Sequence, residues 1–247
     1  MFHRNAAEGV HRVEDAYTNW YVVEEGRSLT VVDTGHPRSW RSLHDALRQL
    51  GRTPKDVAAV VLTHAHFDHM GFAERARAEL GVPVLAHEDE VPVTRHPWRY
   101  DHERSRIPYM LRHPGFDRAF AAMAAMGALF VKGLSQVQTY RAGDDLDVPG
   151  RPHVAFTPGH THGHCALHLR DRGVLLAGDA LVTYNPYRDS DGPQIVSGAA
   201  TADSVQALAS LDVLAATDAA MVLTGHGPPW THGIASAVDR ARSLGAT

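Results

Sequence analysis

The apolar, β-branched run Ala58-Ala59-Val60-Val61-Leu62 ends abruptly on Thr63-His64-Ala65-His66-Phe67-Asp68-His69-Met70-Gly71. A strand of the kind buried on both faces is thus followed at once by four imidazole or carboxylate groups. Such a strand forces the chain into layers, because both of its faces need cover. Other apolar runs end the same way: Thr30-Val31-Val32 on Asp33, Leu175-Leu176-Ala177-Gly178 on Asp179, and Met221-Val222-Leu223-Thr224-Gly225 on His226. Buried strands with polar groups just past their ends deliver those groups to one edge of a sheet assembly.

The rest of the chain reads as α/β. Strands are expected at Val10–Val13, Asn19–Glu24, Leu29–Asp33, Asp56–Leu62 and Val82–His87. Trp40, Leu43, Leu47 and Leu50 fall at helical spacing before Gly51, which predicts a helix over Ser39–Leu50, and a second is expected over Phe72–Leu80. From Glu88 to Leu134 the rhythm breaks into prolines, the cluster Trp98-Arg99-Tyr100 and an alanine- and methionine-rich helix over Phe116–Phe130, and the segment reads as an insertion covering one face. Strands return at Gln136–Tyr140, His153–Thr157, Cys165–Leu169, Val174–Ala177 and Met221–Leu223, with helices over Ser204–Ala216 and Ile234–Leu244. Two successive sets of strands, each followed by a helix, suggest an internal duplication. A length of 247 residues suits one domain over 1–247, with the insertion at about 88–134.

Four candidate ligands within six residues cannot all serve one ion comfortably, but they can serve two. Imidazole and carboxylate suit zinc, with iron and manganese as alternatives, and a dinuclear pair about 3.5–4 Å apart is a recurrent hydrolytic device. For His-x-His alone, a histidine-rich surface loop is an equal explanation; the longer pattern directly after a buried strand favours a metal site.

Thr63-His64-Ala65-His66-Phe67-Asp68-His69-Met70-Gly71 resembles the signature loop of the metallo-β-lactamase superfamily. The family's other elements follow in order: Asp33-Thr34-Gly35 as its early turn, Pro158-Gly159-His160-Thr161 as its second ligand loop, Ala177-Gly178-Asp179 as its carboxylate, and Thr224-Gly225-His226-Gly227 as its last histidine. The similarity runs from about residue 18 to 230. It implies a four-layer αββα sandwich and two divalent metal ions. His64, His66 and His160 would hold the first ion, Asp68, His69 and His226 the second, and Asp179 and a hydroxide would bridge them. That hydroxide would attack a carbonyl, with Asp68 orienting it and accepting its proton.

His160, His162 and His164 alternate too closely for spacing alone to say which binds metal, and family position favours His160. His164 is read as a loop support, Asp33 and Thr63 as supports for a ligand, and Cys165 as a buried strand thiol. Tyr184 is either an oxyanion donor or a packing residue. His3, His11, His36, His44, His153 and His232 are read as surface or locally satisfied, and His87, His96, His102 and His113 as surface in preference to cavity lining. In the insertion, Trp98, Tyr100, Tyr109, Met110, Phe116 and Phe120 offer an apolar wall, and Arg104, Arg106 and Arg112 offer charge for a carboxylate. The same apolar helix could instead fill the core or form a homodimer interface.

These features favour a hydrolase acting on a small-molecule lactone, ester or thioester. A net charge of −4 with 21% charged residues lacks the basic excess of a nucleic-acid binder. No run approaches the roughly 20 apolar residues of a membrane span, and a single cysteine fits a reducing compartment, so a cytoplasmic protein is expected. Among better-defined relatives, hydroxyacylglutathione hydrolases carry a further helical domain for which the 21 residues after His226 are too few. True metallo-β-lactamases lack the carboxylate at Asp179, which leaves β-lactam hydrolysis as a secondary activity at most. The alternative of another class is a mono-iron sulfur (persulfide) dioxygenase on the same scaffold.

Overall fold

The computed structural model describes residues 1–105 and 116–246. Two sheets form its centre. The larger has seven strands in sequence order: β1 (Phe2–Ala7), β2 (Val10–Asp15), β3 (Thr18–Glu25), β4 (Ser28–Val32), β5 (Val57–Val61), β6 (Val84–His87) and β7 (Gln138–Tyr140). Its first four strands form an antiparallel meander, and the pairs from β4 to β7 are parallel. The smaller sheet runs β13 (Met221–Thr224), β10 (Val174–Gly178), β9 (Cys165–Leu169) and β8 (His153–Phe156). A separate ribbon pairs β11 (Val182–Asn185) with β12 (Ser190–Gln194).

Alternation along the strands divides the side chains between layers. Tyr21, Val23, Val32 and Val61 of the large sheet meet Leu167, Leu169, Leu176 and Leu223 of the small sheet in one inter-sheet core. Trp20, Val22, Val31 and Val60 point the other way, onto α1 (Ser39–Leu50) and α2 (Ala73–Leu80). Ala166, Leu175 and Val222 pack outward on α5 (Ser204–Ala215) and α6 (Ile234–Leu244). This is the αββα order that the resemblance implied.

Helix α1 begins and ends where its stripe of Trp40, Leu43, Leu47 and Leu50 predicts, and Gly51 closes it at φ 67, a left-handed conformation that favours glycine. The insertion differs from expectation. Its helix α4 covers only Phe116–Ala125; Gly127 at φ 88 then breaks the chain into one turn at Ala128–Phe130, and a short helix α3 precedes it at Val91–Arg95. Arg106, Tyr109, Met110, Arg112 and His113 lie outside the described residues, as does the side chain of Phe116. Strands β1, β11 and β12 are not expected from the sequence: Phe-His-Arg-Asn-Ala-Ala and Ser-Asp-Gly-Pro-Gln carry few strand-forming residues, and Val-Thr-Tyr-Asn stands in a segment that reads as a turn-rich loop because Pro186 follows it.

Two readings of single histidines change. His87 is buried, its ring stacked on Phe156 at 4.6 Å. His36 is neither surface nor satisfied: it is fully buried and neither ring nitrogen has a hydrogen-bond partner. Burial pushes its pKa down to about 4, so it sits there neutral. His11, by contrast, is buried and satisfied, its Nδ1 accepting from Asn5 N and its Nε2 facing Glu24.

Because Leu176 lies between the two sheets at 1% exposure, Leu176→Ala is expected to cost ~2–5 kcal/mol. Urea unfolding monitored by far-UV circular dichroism checks this, and a loss under about 1 kcal/mol would contradict a close-packed inter-sheet core.

Candidate metal centre

Asp33 follows β4, His64 follows β5, Asp179 follows β10 and His226 follows β13, each at the carboxyl end of its strand. The short turn after β5 brings in His66, Asp68 and His69, and the loop between β8 and β9 brings in His160. Two trios of buried donors result. His64, His66 and His160 form one, Asp68, His69 and His226 the other, with the ligand atoms inside each trio within 4.8 Å of one another. Asp179 lies between them. Its Oδ2 is 3.2 Å from His226 Nε2, 3.4 Å from His160 Nε2 and 3.9 Å from His64 Nε2, and its Oδ1 is 3.6 Å from His69 Nε2.

A third grouping, Asp33 with His64 and His69, is also within reach of one ion. Hydrogen bonds assign Asp33 another role: it accepts from Thr63 N at 2.8 Å and Thr63 Oγ1 at 2.9 Å, and faces His69 Nδ1 at 3.0 Å. It therefore aims His69 Nε2 into the centre. Other ligands are aimed the same way. His226 Nδ1 donates to Tyr17 O at 2.6 Å, His160 Nδ1 meets Thr201 Oγ1 at 3.2 Å, and Thr18 Oγ1 donates to Asp68 Oδ2 at 3.3 Å. Gly225 leaves the space in which Asp179 stands, since a Cβ there would collide with Asp179 Oδ1 and His69 Cε1.

The electrostatics of the trios differ. Burial holds His64 well below its ordinary value and His160 down to about 4, so these two imidazoles are neutral, and His160 Nε2 faces His66 Nδ1 at 2.9 Å. At His69 burial acts in the same sense, but Asp179, Asp68 and Asp33 outweigh it and push the imidazole up to about 10. His226 is raised for the same reason, and its charge with that of His69 keeps Asp179 well below the usual carboxylate range despite burial.

The residues fit metal ions. His64 Nε2, His69 Nε2 and Asp179 Oδ1 are buried with no hydrogen-bond partner, a state that is costly in a dry interior and that a cation removes. The imidazole and carboxylate donors suit borderline divalent metals.

The alternating histidines separate. His160 joins the first trio. His162 is exposed and bonds Asp101 at 2.9 Å, and His164 lies beneath the site, its Nε2 accepting from Asp179 N at 3.0 Å and its Nδ1 donating to Thr157 Oγ1 at 2.8 Å. Tyr184, read as either an oxyanion donor or a packing residue, is not brought to the donors. Its hydroxyl donates to Asp189 at 2.7 Å, its ring stacks on Tyr17, and it lines a different cavity with Arg12 and Arg118. Strand alternation turns Tyr184 outward, and the turn after Asn185 brings Tyr187 to the cleft instead. The cleft is lined by Phe67, Tyr100, Met123, Pro186, Tyr187 and Val196 alongside the donors. Trp98 stacks on Phe67 at 4.1 Å behind this wall. Thr18, Tyr17 O and Thr201 had no sequence signal, because each reaches its ligand from a distant segment.

An αββα sandwich with this donor set at the strand ends defines a class of metal-dependent enzymes. The chain belongs to the metallo-beta-lactamase superfamily, which it matches over residues 13–226. It is 30% identical over 242 residues to the probable metallo-hydrolase YflN of Bacillus subtilis, covering 92% of this chain and 86% of that protein. The N-acyl homoserine lactonase AttM of Rhizobium radiobacter is 29% identical over 74% of this chain and 63% of its own length. For the acyl-coenzyme A thioesterase MBLAC2 of Bos taurus the values are 28%, 75% and 70%. Among solved structures, a metallo-beta-lactamase family protein of Thermus thermophilus superposes with a TM-score of 0.69 and 28% identity, over 96% of this chain and 78% of that one. A di-iron-bound form of TTHA1623 gives 0.61 and 26%, over 91% and 95%.

Asp33 has φ 58, a conformation that asparagine tolerates, so Asp33→Asn removes charge and an acceptor with little backbone strain. Metal affinity at the trio of Asp68, His69 and His226 is expected to fall by about 10- to 100-fold, read by chelator competition. Unchanged affinity would show that His69 needs no such support.

Proposed function

We propose that this metal-dependent hydrolase binds two divalent ions, zinc in preference to iron or manganese, and cleaves a lactone, ester or thioester carrying an apolar acyl group. The observation that carries the proposal is the placement of Asp179 between two complete trios, one of three histidines and one with Asp68. His64, His66 and His160 would hold one ion, Asp68, His69 and His226 the other, and Asp179 would touch both. Two such cations supply hydroxide near neutral pH and polarise a carbonyl oxygen.

The chain's own residues account for the rest. Asp68 borders the cleft and faces His226 Nε2 at 3.5 Å, so with Thr18 steadying one oxygen it is placed to accept a proton from an attacking nucleophile. Phe67, Met123 and Val196 give the acyl group an apolar wall that excludes water, and Tyr100, its ring 3.7 Å from that of His66, closes the wall over the first trio. Arg104, a candidate partner for a substrate carboxylate, packs beside Gly198 and is outside the cleft lining. The names of AttM and MBLAC2 as lactonase and thioesterase support carbonyl substrates with acyl chains.

An activity panel of acyl lactones, aryl esters, acyl thioesters and β-lactams tests the reading, together with metal analysis of protein purified with and without oxygen. Acyl substrates of increasing chain length are expected to turn over with rising kcat/KM, and Asp68→Ala to lose about 10²- to 10⁴-fold. One iron per chain with oxygen uptake on persulfides would replace the hydrolase with a dioxygenase.

A further inference from the structure

Glu90 is a carboxylate with no place in either trio, yet it is 1% exposed. It lies at the start of the insertion, at the end of the acidic run Glu88-Asp89-Glu90 that follows β6, where a solvated face is the ordinary expectation. A buried carboxylate needs donors or opposite charges at its oxygens. Its two main-chain donors come from different ligand loops. Oε2 accepts the N–H of Ala65 at 2.7 Å, and Oε1 accepts the N–H of Gly163 at 2.9 Å. Ala65 lies between His64 and His66, and Gly163 lies three residues after His160, so one carboxylate spans the two loops that carry the three-histidine trio. The loops also meet where Cys165 N donates to Thr63 O at 2.9 Å, a bond between the strand ends, and where His160 Nε2 faces His66 Nδ1 at 2.9 Å, a contact between two groups that would each turn to the ion.

Gly163 makes this contact possible. Its φ is not in the left-handed region, so backbone conformation does not demand glycine, yet a Cβ would stand 2.8 Å from Glu90 N and 2.9 Å from Glu90 Cγ. Burial pushes the Glu90 carboxyl upward in pKa, and the nearby Thr161 hydroxyl together with the two main-chain bonds opposes that shift by favouring the charged acceptor.

We infer that Glu90 is a positioning residue that fixes the separation of the His64–His66 loop from the His160 loop, and thereby the affinity and geometry of the ion held by His64, His66 and His160. The inference rests on the two-ion reading above. It also gives the insertion a second connection to the metal centre besides the wall it builds, because Glu90 belongs to the segment that leads into it.

Wild type, Glu90→Gln, Gly163→Ala and His160→Ala are each loaded with cobalt(II), and bound equivalents, chelator competition, visible absorption and far-UV circular dichroism are measured. Glutamine keeps the volume but sets an amide N–H₂ against one of the two N–H donors, and alanine at 163 displaces an intact Glu90. Both variants are expected to keep the wild-type circular dichroism and one tightly held ion. The other ion should weaken by about 10- to 100-fold, with a changed cobalt absorption band. Two ions bound with wild-type affinity and spectrum in either variant would overturn the inference. Loss of folded protein in both would overturn it too, since Glu90 would then serve the fold as a whole. His160→Ala separates the two readings: if it still binds two ions as wild type does, the two-ion assignment itself fails.

Discussion

A carboxylate removed from water and surrounded by imidazoles is the constraint around which this protein is arranged. Asp179 cannot be stable alone at 3% exposure, and the histidines that offset it come from the ends of other strands and the loops that follow them. The offset is divided unequally. Histidines on the Asp68 side rise in pKa and carry charge toward the acids, whereas His64 and His160 on the other side are held neutral by burial. A centre built this way has lone pairs turned inward, and a cation held on the Asp68 side would displace the protons that His69 and His226 carry.

Much of the fold and most of the donor set were legible because they depend on local patterns. The stripe of α1, the apolar run of β5 and the strands ending on Asp33, Asp179 and His226 are visible to anyone counting periods. What stayed hidden depends on tertiary placement. Nothing near His36 or His87 in sequence says that each will be enclosed, and a hairpin turn decides that Tyr187 and not Tyr184 reaches the cleft. Glu90 was hidden by its company, since three consecutive acids look like solvated surface.

The suggested duplication has a structural counterpart. In the large sheet β3 and β4 form an antiparallel pair, and α1 then leads to β5, parallel to β4. In the small sheet β9 and β10 form an antiparallel pair, and α5 precedes β13, parallel to β10. The ribbon of β11 and β12 is extra in the second unit, and it carries both Tyr184 and the turn that presents Tyr187. The donors divide along this line: His64, His66, Asp68 and His69 come from the first unit, and His160, Asp179 and His226 from the second or from the loop beside it.

That division gives the inter-sheet core of Val32, Val61, Leu176 and Leu223 a meaning beyond burial. The two halves of the donor set are fastened to opposite sides of it, so the thickness of this layer of side chains is the gauge that sets how far apart the halves stand. Sliding one sheet against the other by a fraction of an ångström would be absorbed invisibly in most sandwiches. Here it would be read out as a change in ligand spacing, and the tightness of an ordinary aliphatic layer becomes part of the tolerance to which the catalytic machinery is built.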